Sequence, residues 1–319
     1  SANRYNALDI SSNPSFSTNS TTTTKNALPL CDLLGSSSDN QRINACVALC
    51  NISSHAIDGE QNALQCLQHL VRHGLLKNLL HRLIDANFSI RVHAVGILRN
   101  ISMINQQLAQ QIVDLDCMEP LISVFKDAVQ QHKSLSLKEE SNATQSASSS
   151  TTSSPSQEPN NSIRVLCALI LQSLSLLLNL IECSDNALNS FNRSNLIGIV
   201  APFLSSTSTG SQSLSIAIAA AALLNAVSDD NIEFSRQVIA HKPTHLSLQR
   251  LVIDPKCCVK LRAYSASILW NVYQTTNQES ARKVLHCMQN FFLSAISYDA
   301  LSALHKITPL FKQYLTALQ

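Results

Sequence analysis

The feature that most constrains the fold is an eleven-residue signature that occurs five times along the chain. The copies read RINACVALCNI from Arg42, RVHAVGILRNI from Arg91, ILQSLSLLLNL from Ile170, IAIAAAALLNA from Ile216 and RAYSASILWNV from Arg262. Each copy has Asn at its tenth position, Leu two residues earlier, and Ala or Ser six residues before the Asn. Apolar residues recur at three- and four-residue spacing, which predicts a helix with a buried face. Such helices cannot bury that face alone, so we expect the copies to stack into one array.

The spacing of the signatures indicates the kind of array. Their Asn residues are 49, 79, 46 and 46 residues apart, and an interval in the forties is typical of armadillo and HEAT repeats. Between the first two signatures, residues 65–87 have the apolar spacing of two further helices, with Gly74 as the break between them. Three helices per unit favour the armadillo plan. We therefore predict an all-α fold, a right-handed armadillo/HEAT-repeat α-solenoid of about five to six repeats.

The long second interval is explained by an insertion. Residues 130–161 are rich in Ser, Thr and Pro, so we expect one long disordered loop there, and its removal leaves an interval of about 47 residues. Residues 1–26 are mostly Ser, Thr and Asn and are also expected to be disordered. Residues 27–319 are assigned to the solenoid. Because the helical pattern runs to the last residue, we expect the array to continue beyond this sequence.

Composition excludes several classes of partner. With 23 basic and 21 acidic residues the net charge is only +2, so the chain has no general attraction for nucleic acid or an anionic membrane. Nucleic acid is expected as an indirect partner at most, and the chain is expected to be a monomer. Residues 165–181 carry no charge, but a membrane-spanning helix needs about 20 residues, and Gln172 and Asn179 give this stretch a polar side. A buried repeat helix is therefore expected.

No pattern in the sequence indicates catalysis or a cofactor. Six glycines form no phosphate-binding loop, and neither a G-x-S-x-G nor an H-E-x-x-H motif occurs. Cys66, His69 and His73 have a spacing that would suit zinc on a helix, but no short loop gathers four ligands. The ten cysteines follow no secretory leader, which favours reduced thiols that pack as small apolar residues. We predict a protein that is not an enzyme and that needs neither metal nor cofactor.

The Asn column is the main candidate for function. It consists of Asn51, Asn100, Asn179, Asn225 and Asn271. In three-helix repeats the third helices line the concave surface, where a row of amides can bind the backbone of an extended peptide. Alternatively, each Asn bonds to a neighbouring loop carbonyl and holds adjacent repeats in register. The sequence leaves both readings open.

A second column lies seven residues before the first, about two helical turns away on the same side. It consists of Asn44, His93, Gln172, Ile218 and Tyr264. The first three members offer hydrogen bonds, whereas Ile218 and Tyr264 make the later part of the groove more apolar. We predict that an extended basic peptide binds along both columns, with an apolar side chain near Tyr264. The centre of this site is predicted at Asn100, Asn179 and Asn225.

Three segments resemble the symportin family of HEAT/armadillo-repeat adaptors, and they occur in the same order. They are FSIRVHAVGILRNIS from Phe88, LLLNLIECSDNALNSF from Leu176 and SILWNV from Ser267. The resemblance implies an adaptor and chaperone that binds the large-subunit ribosomal proteins accompanying 5S rRNA. It also implies coupling to an import receptor, through a segment outside this sequence, and shuttling between cytoplasm and nucleus.

Two other functions fit the repeats alone. One is a general armadillo scaffold in signalling or adhesion, and the other is the substrate-binding part of a ubiquitin ligase whose catalytic domain lies elsewhere. Import receptors of the importin-alpha kind have a Trp four residues before the Asn. This chain instead has Val47, Gly96, Ser175, Ala221 and Ser267 at that position. A general receptor for basic localisation signals is therefore not predicted.

Overall fold

The computed structural model describes residues 28–146, 158–205, 211–229, 231–254 and 256–276, and within these ranges every regular element is a helix. The first unit comprises α1 (Leu28–Leu34) and α2 (Asp39–Ile57). The second comprises α3 (Gln61–Arg72), α4 (Leu75–Leu83) and α5 (Phe88–Ile104). The third comprises α6 (Gln106–Asp114), α7 (Met118–Ser146) and α8 (Glu158–Cys183). The fourth comprises α9 (Asp185–Arg193), α10 (Ile197–Val200), α11 (Pro202–Ser205) and α12 (Ser211–Ser228). The fifth comprises α13 (Ile232–Ala240), α14 (Lys242–Ile253) and α15 (Val259–Thr276).

The signature helices form one continuous row. In chain order α2 packs against α5, α5 against α8, α8 against α12, and α12 against α15. The Leu of every signature is at most 1% exposed, because it points from this row into the core shared with the other helices. The predicted all-α solenoid is therefore confirmed for the described residues, and the second, third and fifth units each have the three predicted helices.

In three consecutive units, the turn between the first and second helix contains a residue with a left-handed backbone conformation. Gly74 has φ +89°, and Asp116 and Asn195 have φ 57° and 48° at the equivalent turns of the next two units. Gly adopts this conformation freely, and Asn and Asp tolerate it better than other side chains. The helix break predicted at Gly74 is confirmed, and two polar residues play the same part without a glycine.

Asparagine also begins several helices. The side-chain oxygens of Asn87, Asn105 and Asn231 accept backbone N–H groups of Ser89, Leu108 and Phe234 at 3.0, 2.8 and 3.0 Å. These bonds satisfy donors that have no partner within the first turn of a helix. They fix where α5, α6 and α13 begin.

The insertion differs from its prediction. A loop was expected over residues 130–161, but α7 continues to Ser146 and α8 begins at Glu158, so helix covers both ends of that range. Gln, Lys, Leu and Glu in the segment after Val129 are strong helix formers, and Leu135 packs against the core. Residues 147–157 lie outside the described residues. The segments 1–26 and 277–319, predicted as disordered and as further solenoid, also lie outside them.

The apolar third helix of the third unit is a core helix. Residues Ser162–Cys183 have a mean hydropathy of 2.0 and are long and apolar enough to cross a membrane by those criteria. Half of that stretch is buried inside the chain, because α8 packs against α5, α6, α7, α9 and α12. Contact with five other helices buries apolar side chains of α8 within the protein. It forms the centre of the described solenoid.

Candidate functional site

The two predicted columns lie on one face of the row of signature helices, which we call the ladder face. Asn44 and Asn51 are exposed on α2, the first helix of the row, whereas Asn100 is 8% exposed. The remaining members are half-buried: His93, Gln172, Asn179, Ile218, Asn225, Tyr264 and Asn271. Successive helices bring these side chains next to the preceding unit, and three of the six Asn amides on this face donate hydrogen bonds to it.

Three Asn side chains donate hydrogen bonds to the preceding repeat. Asn179 Nδ2 donates to Ser102 Oγ at 2.8 Å, and Asn271 Nδ2 donates to Ser228 Oγ at 2.9 Å. Asn100 Nδ2 lies 3.1 and 3.2 Å from two hydroxyl oxygens, Ser53 Oγ and Ser54 Oγ, which accept its protons. In each case the acceptor is a serine hydroxyl on the neighbouring signature helix, rather than a loop carbonyl. These amide nitrogens link adjacent units.

The serine acceptors are themselves fixed. Ser53 Oγ donates to the carbonyl of Cys50 at 3.0 Å, and Ser102 Oγ donates to that of Arg99 at 2.7 Å. Because each hydroxyl proton is used within its own helix, a lone pair is left for the incoming Asn amide. Sequence reasoning missed these residues as partners. The signal was the Ser two residues after Asn in the two copies that read Asn-Ile-Ser.

Asn225 departs from this pattern. Its expected acceptors would stand two and three residues after Asn179, where the chain has Ile181 and Glu182 instead of Ser. Asn225 Oδ1 is buried without a hydrogen-bond partner, and no bond from its Nδ2 occurs in the part of the chain that the structure describes. An unpaired buried amide oxygen costs about 1–3 kcal/mol. Asn225 therefore differs from Asn100, Asn179 and Asn271, whose amides are bonded to serine.

The second column contacts the preceding helix as well. His93 Nδ1 lies 3.6 Å from Cys50 Sγ, across the α2–α5 junction. Burial lowers the pKa of His93 and raises the pKa of the Cys50 thiol to about 12. Both groups are neutral at neutral pH, so the pair lacks the thiolate that nucleophilic chemistry requires. It is a polar packing contact on the ladder face.

Gln172 lies over a gap in the α5 surface. A Cβ atom added to Gly96 would be 3.0 Å from Gln172 Oε1, so the glycine makes room for this amide. Gln172 Oε1 is buried and has no hydrogen-bond partner. The absence of a side chain at Gly96 thus lets the Gln172 amide of the next unit rest on α5.

An ionic network fixes the first junction at the start of the ladder face. The carboxylate of Asp85, whose side chain is 3% exposed, lies between Arg42 and Arg82, with N···O distances of 3.1 and 2.8 Å. Its Oδ1 also accepts the backbone N–H of Asn87 at 3.0 Å. The Asn87 side chain donates to Asp39 at 2.8 Å, and this bond is the main cause of the lowered pKa of Asp39. The network joins α2 to the turn between α4 and α5.

Neither a metal centre nor a disulfide is present among the described residues. No group of three His, Cys, Asp or Glu side chains comes together there, and the nine cysteines in those ranges are free thiols. Burial raises the pKa of Cys46 and Cys117 to about 12, which keeps them protonated at neutral pH. These cysteines pack as small apolar side chains.

Curated proteins similar to this chain carry HEAT or armadillo repeats in their names. HEAT repeat-containing protein 3 of Homo sapiens is 24% identical over 241 residues, which cover 73% of this chain and 32% of that protein. Armadillo repeat protein involved in nucleocytoplasmic transport Syo2 of Schizosaccharomyces pombe is 25% identical over 284 residues, which cover 85% of this chain and 39% of that protein. The chain thus spans about a third of the length of the curated relatives it matches. No protein-family profile matches the sequence.

Solved structures with the same architecture include designed repeat proteins. The designed armadillo repeat protein YIII(Dq)4CqI has a TM-score of 0.57 at 15% identity, covering 87% of this chain and 96% of that one. The designed armadillo repeat protein YIII(Dq.V1)4CPAF, solved in complex with the peptide (KR)4, has a TM-score of 0.57 at 14% identity, covering 87% and 95%. At these identities the likeness concerns the fold alone, and by that fold the chain is an all-α solenoid of armadillo/HEAT repeats.

Proposed function

We propose that the chain is a non-enzymatic adaptor of nucleocytoplasmic transport that binds an extended segment of a partner protein along the ladder face. The observation that carries this proposal is the similarity to Syo2, named for nucleocytoplasmic transport, over 85% of the chain. The ordered repeats and the row of side-chain amides on one face support it. Shuttling between cytoplasm and nucleus is part of such a function.

The partners that we propose are basic ribosomal proteins of the large subunit, which accompany 5S rRNA. The resemblance of three ordered segments to the symportin family supports this assignment, and it makes the chain a chaperone during ribosome assembly. An import receptor would bind a segment outside this sequence. The proposed contact residues are Asn51, Asn100, Asn179, Asn225, Asn271, Asn44, His93, Gln172 and Tyr264.

The ladder face has two halves that would treat such a partner differently. Asn44, Asn51 and His93 give the first half hydrogen-bonding groups, while Ile218 and Tyr264 make the second half more apolar. In the first half a bound segment would be held mainly by hydrogen bonds to its polar side chains. In the second half an apolar side chain would supply most of the binding free energy, because its burial removes apolar surface from water.

The experiment that tests this function is affinity purification of the chain from cells, with the bound proteins identified by mass spectrometry. Large-subunit ribosomal proteins should be the most enriched partners. Met103→Lys should lower their recovery, because this side chain is 52% exposed three residues after Asn100, and a new cation repels a basic segment. The matched control is Leu246→Lys, which adds the same charge at a residue that is 50% exposed on α14.

Two outcomes would overturn the proposal. If no large-subunit ribosomal protein is enriched, the general armadillo scaffold replaces the transport adaptor. If Met103→Lys and Leu246→Lys reduce recovery equally, the partner binds outside the ladder face. Enrichment of a ubiquitin-transfer enzyme in place of a ribosomal protein would favour the ubiquitin-ligase alternative.

A further inference from the structure

The ladder face has one break in its repeat-to-repeat bonding, and it lies at the α8–α12 junction. Asn100, Asn179 and Asn271 all donate to serines of the preceding signature helix. Asn225 has no such acceptor, since Ile181 and Glu182 occupy the two positions where serine is found in the other units. Its amide is therefore not committed to holding repeats in register.

The free amide of Asn225 can form hydrogen bonds with a partner, whereas the amide nitrogens of Asn100, Asn179 and Asn271 are already bonded to serine. Asn225 Oδ1 is buried and unpaired, and the torsion at the end of an Asn side chain is broad, so the amide can turn to present its oxygen or its nitrogen. An extended backbone offers N–H and C=O groups in alternation along its length. A bound backbone would thus satisfy an amide that the folded chain leaves without partners.

Charge around Asn225 indicates the side chains of the segment that binds. No charged residue occurs in residues 165–181 of α8 or in 211–228 of α12. Charge begins where both helices end, at the exposed carboxylates of Glu182 and Asp229. The carboxyl end of a helix carries partial negative charge, which adds to these carboxylates. A neutral apolar residue over the two helices, with Lys or Arg next to it at their carboxyl ends, is complementary to this surface.

We infer that Asn225 is the position at which the ladder face binds the backbone of its partner, an extended segment with an apolar residue beside a basic one. This inference rests on the proposed function and narrows its site from nine residues to one junction. Asn100, Asn179 and Asn271 then serve chiefly to join repeats.

The decisive variant is Glu182→Ser, compared with Glu182→Ala. Glu182 is exposed and stands three residues after Asn179. Ser228 has the same position relative to Asn225, and its hydroxyl accepts a hydrogen bond from the Asn271 amide. Glu182→Ser therefore supplies the missing acceptor without altering the core, whereas Glu182→Ala removes the same carboxylate and adds no hydroxyl. The difference between the two variants isolates the capture of the Asn225 amide.

The probe is a phage-displayed library of random peptides, selected on the full chain, and the selected peptide is then titrated by fluorescence anisotropy. Selected sequences should carry an apolar residue beside Lys or Arg. Glu182→Ser should bind the peptide about tenfold more weakly than Glu182→Ala, the effect of losing one buried hydrogen bond. Its melting temperature should be the higher of the two, because the new hydroxyl joins two repeats.

Equal peptide affinity in the Ser and Ala variants, or selected sequences without the apolar–basic pair, would overturn the inference. Asn225→Ala and Ser102→Ala provide a second measurement that does not depend on Glu182. Asn225→Ala should lose about tenfold in affinity without a lower melting temperature, whereas Ser102→Ala, which removes the acceptor of the Asn179 amide, should melt earlier and lose no affinity. The reverse pattern would contradict the inference. Because the library needs no cellular partner, these results are independent of whether ribosomal proteins are recovered from cells.

Discussion

The α5–α8 and α8–α12 junctions are built alike and differ in the side chain that faces the Asn amide. At the first, Asn179 donates to Ser102, which stands two residues after Asn100. At the second, Asn225 meets a helix with Ile181 in the position of that serine, and its amide oxygen is left unpaired. The same Asn column therefore joins repeats at one junction and leaves an amide free at the next.

The difference teaches that an Asn ladder has no fixed role. A third junction, α2–α5, has the Asn–Ser bonds and also the buried ionic network around Asp85. Polar bonds between repeats thus decrease from the α2–α5 junction to the α8–α12 junction. The stability of the α2–α5 junction should therefore depend on individual polar residues, and that of the α8–α12 junction on apolar packing.

The largest effect is expected at the network. Asp85→Ala leaves two guanidinium groups without their shared carboxylate, and removing one partner of a buried ion pair lowers the free energy of unfolding by about 3 kcal/mol or more. Denaturant unfolding monitored by circular dichroism measures this. The control is Glu60→Ala, because Glu60 pairs with His55 in the open and both side chains are more than half exposed. A similarly small change in both variants would mean that the network does not join these repeats.

The Asn–Ser bond should have the next largest effect. Asn179→Ala should lower the free energy of unfolding by about 1–2 kcal/mol, because the hydrogen bond from the Asn179 amide to the Ser102 hydroxyl is lost. Ser102→Ala and the double variant complete a cycle, in which the two losses should not add, since they remove the same bond. Asn225→Ala is the matched position without a serine partner and should change stability less. Additive losses would show that the two side chains act independently.

The α2–α5 junction should also respond to acid. Burial lowers the pKa of His93, so the unfolded chain takes up a proton more readily than the folded chain. The stabilisation is fully present above pH 6.5 and is lost as the pH falls from there towards the lowered pKa. Thermal melting across this range should show a fall in melting temperature that is smaller in His93→Gln. His245, whose pKa burial also lowers, contributes with the same sign, so the double His variant should show the weakest dependence.

The smallest effect is expected for Gly96→Ala. Alanine raises helix propensity by about 1 kcal/mol over glycine, but its Cβ would press on the Gln172 amide above it. The end of a Gln side chain moves readily, so the free energy of unfolding should change by no more than about 1 kcal/mol in either direction. Thermal melting of this variant beside Gly198→Ala, where an added Cβ meets nothing within 4 Å, isolates the contact with Gln172. A loss several times larger would mean that Gln172 is held rigidly.

Much of the fold was predictable because helical periodicity is local. The recurrence of apolar residues within each signature predicted which face is buried, and Leu49, Leu98 and Leu177 are indeed at most 1% exposed. Gly74 predicted a turn because glycine adopts a left-handed backbone conformation by itself, without any contact from another repeat. The loop predicted over residues 130–146 was wrong, because these residues belong to α7. The prediction gave their low hydrophobicity more weight than the helix propensity of their Gln, Lys and Glu residues.

The sequence by itself determined the number of signature helices, their order and the face on which the Asn column lies. Only the tertiary structure decided what each Asn does, because its partner lies on another repeat: Asn179 and Ser102 are 77 residues apart in the chain. Periodicity describes one helix, whereas a hydrogen bond between repeats depends on how far one helix is shifted along the next. A shift of one residue, about 1.5 Å, would change which side chain faces the amide, and no pattern within a single helix records it.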